Sequence, residues 1–315
     1  MTAVAMTKAN YKKNGVLPDG RQFRTSKSNT PRSLEPSVVA KFATRLTLAI
    51  VAFYFLFPIW WLIVAATKSD FEITITNPFW FTGDTTELVK NFDFLMAYGE
   101  ERGMFWRWIL NSVFYSGAAG LIGVLISVSA GYAISKFAFP GRGGAQVAIL
   151  AGLLMPVALL TVPLYVVFFK LGMLNTPLAV ILPGAVSPFG VFLGRIYADT
   201  VPDELLEAAR IDGAGEIRIF FTIVMRLLAP AMVTIFLFIF VTSWNNFLLP
   251  LMMLDQAELK PVTVGLYGMY SAAKHNADSG ATLLGSLMGV VPLIIMFLGL
   301  QRFWQSGLSA GAVKG

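Results

Sequence analysis

Apolar and polar positions along the chain segregate over tens of residues rather than over single turns. Six apolar runs, at about residues 46–66, 109–135, 147–169, 178–194, 228–250 and 283–303, alternate with shorter polar connections. Each approaches the roughly 20 residues that an α-helix rising about 1.5 Å per residue needs to cross about 30 Å of hydrocarbon. Leu46 to Ala66 and Leu228 to Phe240 are apolar on every face, whereas a membrane barrel would show segments of about ten residues alternating apolar and polar. The pattern predicts an all-α, polytopic membrane protein with six transmembrane helices. Pro58, Pro156, Pro163, Pro183 and Pro292 interrupt the runs, which a bundle tolerates because neighbouring helices and side chains satisfy the freed carbonyls. Around the spans, residues 1–45 read as a disordered basic tail, 67–108 as a loop after the first helix at 46–66, 109–304 as the membrane core and 305–315 as a short polar tail.

Composition agrees and charge adds a direction. Only 13% of the 315 residues are charged and mean hydropathy is +0.67, against about 25% charged in a soluble domain, so a soluble two-domain protein is excluded. Most of the 24 lysines and arginines fall on the side of the N-terminus, among them Lys12, Lys13, Arg21, Arg45, Lys136, Arg142, Arg210, Arg218 and Arg226. Counted over short connections, this bias places both termini in the cytoplasm and 67–108 and 251–282 outside. The net charge of +6 is therefore a topology signal, and no basic patch interleaved with exposed aromatics points to nucleic acid. About 40 polar residues precede the first run, which reads as a signal anchor rather than a cleavable signal peptide.

Catalytic chemistry is not encoded in the familiar ways. The chain has no cysteine, and His275 is its one histidine, in an expected external loop, so no histidine metal site and no Ser-His-Asp triad is expected. Gly-Lys never occurs, which removes the phosphate-cradling P-loop. The spans are almost free of Asp, Glu, Lys and Arg, the residues that proton- or ion-driven carriers keep inside the membrane. What remains is a pathway-forming subunit, with no catalytic, cofactor or metal site, whose energy comes from another chain.

The connection between the fourth and fifth runs reads TVPDELLEAARIDGAGEIRIFFTIVMRLLAP from Thr200. Thr200 is placed to cap a helix with Asp203 three residues later, Pro202 suits the first turn, and Asp203, Glu204 and Glu207 lie toward the positive end of the helix dipole. Gly213 is placed to end that helix in a left-handed conformation. Ile217, Phe220, Val224, Leu227 and Leu228 then recur at helical spacing. Two short helices meeting at a glycine turn are expected.

The stretch EAARIDGAGEIRIFFTI resembles the EAA loop of permease subunits in binding-protein-dependent ABC importers, with Glu207, Ala208, Ala209, Asp212, Gly213, Ala214, Phe220 and Ile223 on the family's positions. One departure is Arg226, where the family often has a proline, although Pro230 follows. SWNNFLLPL at 243–251, PVTVGL at 261–266 and GLSAGAVKG at 307–315 resemble the maltose-transporter-like carbohydrate permeases. The resemblance covers about residues 45–315 and implies the type I importer permease fold. It further implies that the EAA loop is a coupling helix seated in a groove of a cytoplasmic ABC ATPase dimer. ATP and Mg would be bound there, and this chain would hold no cofactor. Implied partners are a second homologous permease, an extracytoplasmic solute-binding protein and a sugar substrate, with lipid around the spans and no nucleic acid. The implied location is the plasma membrane of a prokaryote. The 251–282 loop is implied to reach into the binding protein, and the C-terminal tail to contact the ATPase. Trp244, Asn245 and Asn246 offer an aromatic face and two amides for a sugar, or an interfacial tryptophan with asparagines bonding between helices. Asn111, Tyr132 and Tyr165 read either as cavity lining or as packing. A stand-alone channel or facilitator is the alternative.

Overall fold

The computed structural model describes residues 37–82, 86–99, 102–273 and 279–311; His275 lies outside them. Chain order begins with α1 (Val38–Ala65), the short helices α2 (Asp70–Ile75) and α3 (Thr86–Ala97), and the 33-residue α4 (Met104–Lys136). Then come α5 (Arg142–Leu154), α6 (Val157–Lys170), α7 (Leu178–Ala185) and α8 (Pro188–Asp199). The next connection holds α9 (Asp203–Ile211), α10 (Glu216–Ile219), a π-turn at Phe220–Val224 and α11 (Met225–Leu227). After α12 (Ala229–Trp244) and α13 (Leu248–Met253), a 3-10 turn at Ala257–Leu259 leads to α14 (Val262–Ala273) and α15 (Ser279–Gly311).

All six expected runs are helical, but only three are single unbroken spans: α1, α4 and residues 279–301 of α15. The other three are bent pairs, α5 with α6 at 105°, α7 with α8 at 40°, and Glu216–Leu227 with α12 at 81°. Each break has a local cause. Met155 is extended before Pro156, whose ring and missing N–H end α5. Ser187 is extended and its Oγ accepts the Gly190 N–H at 3.0 Å, restarting the chain as α8 with Pro188 in its first turn. Leu228, at φ −89° and ψ 6°, separates α11 from α12, and Pro230 lies in the first turn of α12. The bend before the fifth span therefore forms without a proline at 226.

Boundaries differ from expectation where capping residues decide them. α1 begins at Val38 rather than 46, because Val38–Arg45 contains no breaker and Ser37 Oγ accepts the Ala40 N–H at 3.1 Å. Residues 38–45 are thus helix, not tail, and 1–36 lie outside the described residues. The expected 67–108 loop contains α2, α3 and the first turn of α4. The expected polar tail is helical as far as Gly311.

The described residues up to Phe57 form one compact unit and those from Pro58 onward a second. The second unit has three cores: one around Val128, Tyr132, Leu206, Ile219 and Ile235; one around Leu95, Phe105, Trp108, Trp244 and Met269; and one around Tyr115, Phe168, Ile181 and Met253. α4 contributes to all three. Its closest neighbour is α8, and the reason is small side chains: Ser127 and Gly131, spaced by four, meet Gly190 and Gly194, while Gly123, one turn earlier, meets the Ala185 backbone of α7. A Cβ on Gly194 would lie 2.7 Å from the Ser127 carbonyl oxygen, and one on Gly131 would collide with the backbone of Gly194 and Arg195. In lipid there is little hydrophobic drive between helices, so this close small-residue contact supplies packing that larger residues would prevent. The buried polar side chains among the described residues are Lys68, Asn91, Ser112, Ser116, Ser127 and Thr161; none is a carboxylate.

Candidate functional site

The residues of the EAA-like motif fall on the connection from α8 to α12. Thr200 does not cap α9. It closes α8, its Oγ1 donating to the Tyr197 carbonyl at 2.7 Å, and Pro202 takes the cap position of α9 without a side-chain acceptor. The start of α9 is held from α4 instead. Lys136 Nζ lies 2.7 Å from the Val201 carbonyl and 2.7 Å from Asp203 Oδ1, with its side chain only 9% exposed, and Ser135 Oγ donates to Asp199 Oδ1 at 2.5 Å. A hydrogen bond from a charged donor contributes about 1.5–3 kcal/mol when its acceptor is otherwise left dry. Lys136→Met keeps the apolar stem and removes the donors, so amide exchange through Val201–Leu206 should accelerate by about tenfold or more. Hydrogen-exchange mass spectrometry on the purified protein measures this.

The glycine stop forms as expected. Gly213 has φ +79°, its N–H donates to the Arg210 carbonyl at 3.0 Å, and the Ala214 N–H reaches the Ala209 carbonyl at 3.0 Å. This pair of bonds is the Schellman arrangement, which satisfies carbonyls that the helix end leaves open. Across the turn, Arg210 Nε lies 2.6 Å from Glu216 Oε1, with a second bond of 3.3 Å. That hydrogen bond raises the Arg210 pKa above its ordinary value. Both side chains are well exposed, so the pair fixes the angle between α9 and α10 more than it stabilises the fold.

The motif residues divide into two layers. Phe220 is buried, Ala209, Ala214 and Ile223 are half-buried against the same core, and the ring of Phe220 lies 5.6 Å from that of Tyr132 on α4. Glu207, Ala208, Asp212 and Gly213 face outward. Beside them lie apolar residues that the sequence pattern did not single out or placed on the wrong face: Leu205, Ile211 at 86% exposed, Ile217 at 77% and Phe221. The expected face of Ile217, Phe220, Val224, Leu227 and Leu228 is broken because the π-turn at 220–224 adds a residue to the turn and shifts the phase. Ile219, Phe220, Val224 and Leu228 are buried, while Ile217 and Leu227 are exposed. The outward face therefore mixes carboxylates with bare apolar side chains on a base locked to α4, the composition of surfaces that other proteins cover.

At the far end of α4, a cavity of about 470 Å³ is walled by Trp244, Asn245, Thr263, Tyr267, Tyr270 and Ser286, among others. Trp244 is buried and stacked on Phe240 at 5.8 Å. Asn245 is exposed, its Nδ2 donating back to the Val241 carbonyl at 2.8 Å. Asn246 does not line the cavity; its carbonyl accepts the Thr263 hydroxyl at 3.1 Å. Of the three residues that read as either lining or packing, Tyr132 packs between Phe137 and Phe220, Tyr165 stacks on Phe169, and Asn111 binds the main chain after α13. Within the expected external loop at 251–282, the described residues include α14, whose Val262, Val264, Leu266 and Met269 are buried.

Bent apolar spans around a small-residue crossing, with an exposed two-helix loop between the fourth and fifth, are the architecture of a polytopic helical membrane protein. Residues 123–308 match the family described as binding-protein-dependent transport system inner membrane component, and the chain belongs to that family. It is a membrane permease component and not itself an enzyme. The arabinooligosaccharides transport system permease protein AraQ of Halalkalibacterium halodurans is 36% identical over 267 residues, 85% of this chain and 94% of the relative. The diacetylchitobiose uptake system permease protein DasC of Streptomyces coelicolor is 28% identical over 90% of this chain and 100% of its own length. A chain of a bacterial ABC transporter involved in the import of the acidic polysaccharide alginate superposes with a TM-score of 0.70 at 23% identity, over 87% of this chain and 100% of the other. The fold is thus that of a type I ABC importer permease.

Proposed function

We propose that the chain forms half of the translocation pathway of an ATP-driven, binding-protein-dependent importer for a carbohydrate, meaning an oligosaccharide, glycoside or related polyol. The substrates named for AraQ and DasC, both short saccharides, support that class. The observation that carries the coupling reading is the two-layer loop: Glu207, Ala208, Asp212 and Ile211 are presented outward while Phe220, Ala209 and Lys136 bind the same loop to the core. A short rigid helix of this kind fits a groove on a partner. That partner is the ABC ATPase dimer, which holds ATP and Mg. A second homologous permease completes the pathway and an extracytoplasmic solute-binding protein delivers the sugar. The lysine and arginine bias supports cytoplasmic termini in a prokaryotic plasma membrane, with the EAA-like loop inside and 251–282 outside.

In this mechanism, closure of the ATPases displaces the loop, and the Tyr132–Phe220 contact and Lys136 carry the displacement to α4. The pathway then opens toward the docked binding protein, and hydrolysis resets it. Trp244 and Asn245 wall the cavity on the sugar's route, and Asn246 acts behind it by holding the Thr263 hydroxyl. Asn245→Ala should raise the KM for uptake without loss of folded protein, because its amide makes only a local bond. Trp244→Ala should instead cost about 3–5 kcal/mol of stability by emptying a buried aromatic site. Uptake kinetics and thermal unfolding in detergent separate the two effects. The reading as a whole is tested by purifying the tagged chain from its native membrane. An ATPase and a second permease should accompany it; a pure homo-oligomer overturns the importer and supports the stand-alone channel.

A further inference from the structure

α5 and α8 pack antiparallel, and the groove between them changes character along its length. At one end Arg142 and Gln146 of α5 stand one turn apart on one face, and Arg195, in the last turns of α8, shares a crevice with Gln146. At the other end Gly152 meets Pro188, where an added Cβ would lie 3.1 Å from the proline ring. Between them the facing positions are apolar. Leu150 and Leu153 continue the Arg142 face of α5, Phe192 and Phe189 continue the Arg195 face of α8, and Leu150, Leu153 and Phe189 are exposed.

The polar end holds more positive charge than the protein itself uses. Arg195 Nε is buried, lies 3.9 Å from Asp199 Oδ2 and meets no hydrogen-bond acceptor. Beside it Ile134, Gln146 and Phe192 help to close a crevice of about 10 Å³, room for one water or one phosphate oxygen. Arg142 reaches the same corner. Its Nη2 donates to the Ser135 carbonyl at 3.0 Å, and Ser135 Oγ donates to Asp199 Oδ1 at 2.5 Å. Two guanidiniums therefore flank a single carboxylate, one of whose oxygens is already taken. Among the described residues, Asp199 is the only carboxylate within ion-pair distance of either.

We propose that the α5–α8 groove is a binding site for an anionic phospholipid. The phosphate sits between Arg142 and Arg195, with one oxygen entering the crevice to accept from Arg195 Nε and Gln146 donating to another. The acyl chains run along Leu150, Leu153, Phe192 and Phe189 toward the bilayer centre. Guanidinium forks match phosphate geometry, and basic pockets between transmembrane helices suit anionic headgroups. Inorganic phosphate offers the same charge but gains nothing from the apolar floor, so the lipid is the occupant. Bound there, it ties the start of α5 to the end of α8, from which the EAA-like loop departs. Arginines that only snorkel to the interface would confer no preference among headgroups.

The test is native mass spectrometry of the full-length chain, with whatever subunits co-purify. The protein is titrated in detergent with phosphatidylglycerol, with zwitterionic phosphatidylcholine of the same acyl chains, and with inorganic phosphate. Phosphatidylglycerol should be retained at about tenfold lower concentration than phosphatidylcholine, as two basic groups facing one net charge imply. The preference should fall to about threefold or less in Arg195→Gln or Arg142→Gln. Arg226→Gln, which removes an exposed arginine outside the groove, should keep it in full. If the arginine variants do not fold, Gln146→Glu leaves both guanidiniums in place, supplies a carboxylate inside the crevice, and should abolish the preference. Equal retention of the two lipids by the wild type, or a preference that survives these groove substitutions or is lost equally in Arg226→Gln, overturns the site. Displacement of phosphatidylglycerol by an equal concentration of inorganic phosphate overturns the lipid as its occupant.

Discussion

Gly213→Pro should abolish uptake and the stimulation of the partner ATPases while the spans remain folded. Proline holds φ near −65°, whereas Gly213 needs +79° and donates its N–H to Arg210. The substitution therefore breaks the Schellman turn and swings Asp212 away from Glu207. No packing argument competes, because a Cβ at Gly213 would meet nothing within 4 Å. A graded series follows from the backbone alone. Gly213→Asn should be nearly silent and Gly213→Ala should cost about 1–2 kcal/mol of turn stability, with proline beyond both. Uptake of labelled sugar and ATPase rate in reconstituted vesicles should fall in that order. Full activity in the proline variant, with normal amounts of assembled complex, removes the loop from the mechanism.

The second large effect concerns the fold. Gly131→Val places branched carbons where the α8 backbone passes, since even a single Cβ there collides with Gly194 and Arg195. Overpacking a tight site costs about 1–3 kcal/mol where neighbours can yield. Here the neighbours are main chain of α8, which cannot rotate aside, so the upper end is expected, with loss of monodisperse protein in detergent. Gly299→Ala is the matched control: nothing lies within 4 Å of its Cβ, and alanine favours helix by up to about 1 kcal/mol. Fluorescence-detected size-exclusion profiles should show the first variant aggregated and the second unchanged.

That contrast marks how far the sequence could be read. The six spans were legible because twenty-residue apolar runs have few alternatives in a chain so poor in charge. The turn at Gly213 was legible because helix stops have local chemistry. The α4–α8 crossing was not read, although Gly190 and Gly194 carry the four-residue spacing in plain view, since 28 glycines offer many such pairs and only the facing helix selects one. The π-turn at Phe220–Val224 has no residue signature of its own, so the face predicted for Ile217 and Leu227 came out reversed. Asn111 looked like packing because its partners, Glu258 and Lys260, lie about 150 residues away and offer main chain, which sequence does not distinguish from any other. Similarly, Thr200 satisfied the local rule for capping α9 but found a nearer acceptor in Tyr197.

The central claim is that the outward face of the α8–α12 loop seats on an ATPase. Ala208 is exposed on that face and the chain has no cysteine of its own, so Ala208→Cys gives a single reactive site there. A reagent that is thiol-reactive at one end and photoreactive at the other, applied to membranes holding the whole transporter and illuminated, should link this residue to the ATPase subunit, with a yield that changes when vanadate traps the closed state. A link formed only to a second copy of this chain, or none while the ATPase co-purifies, would contradict the account.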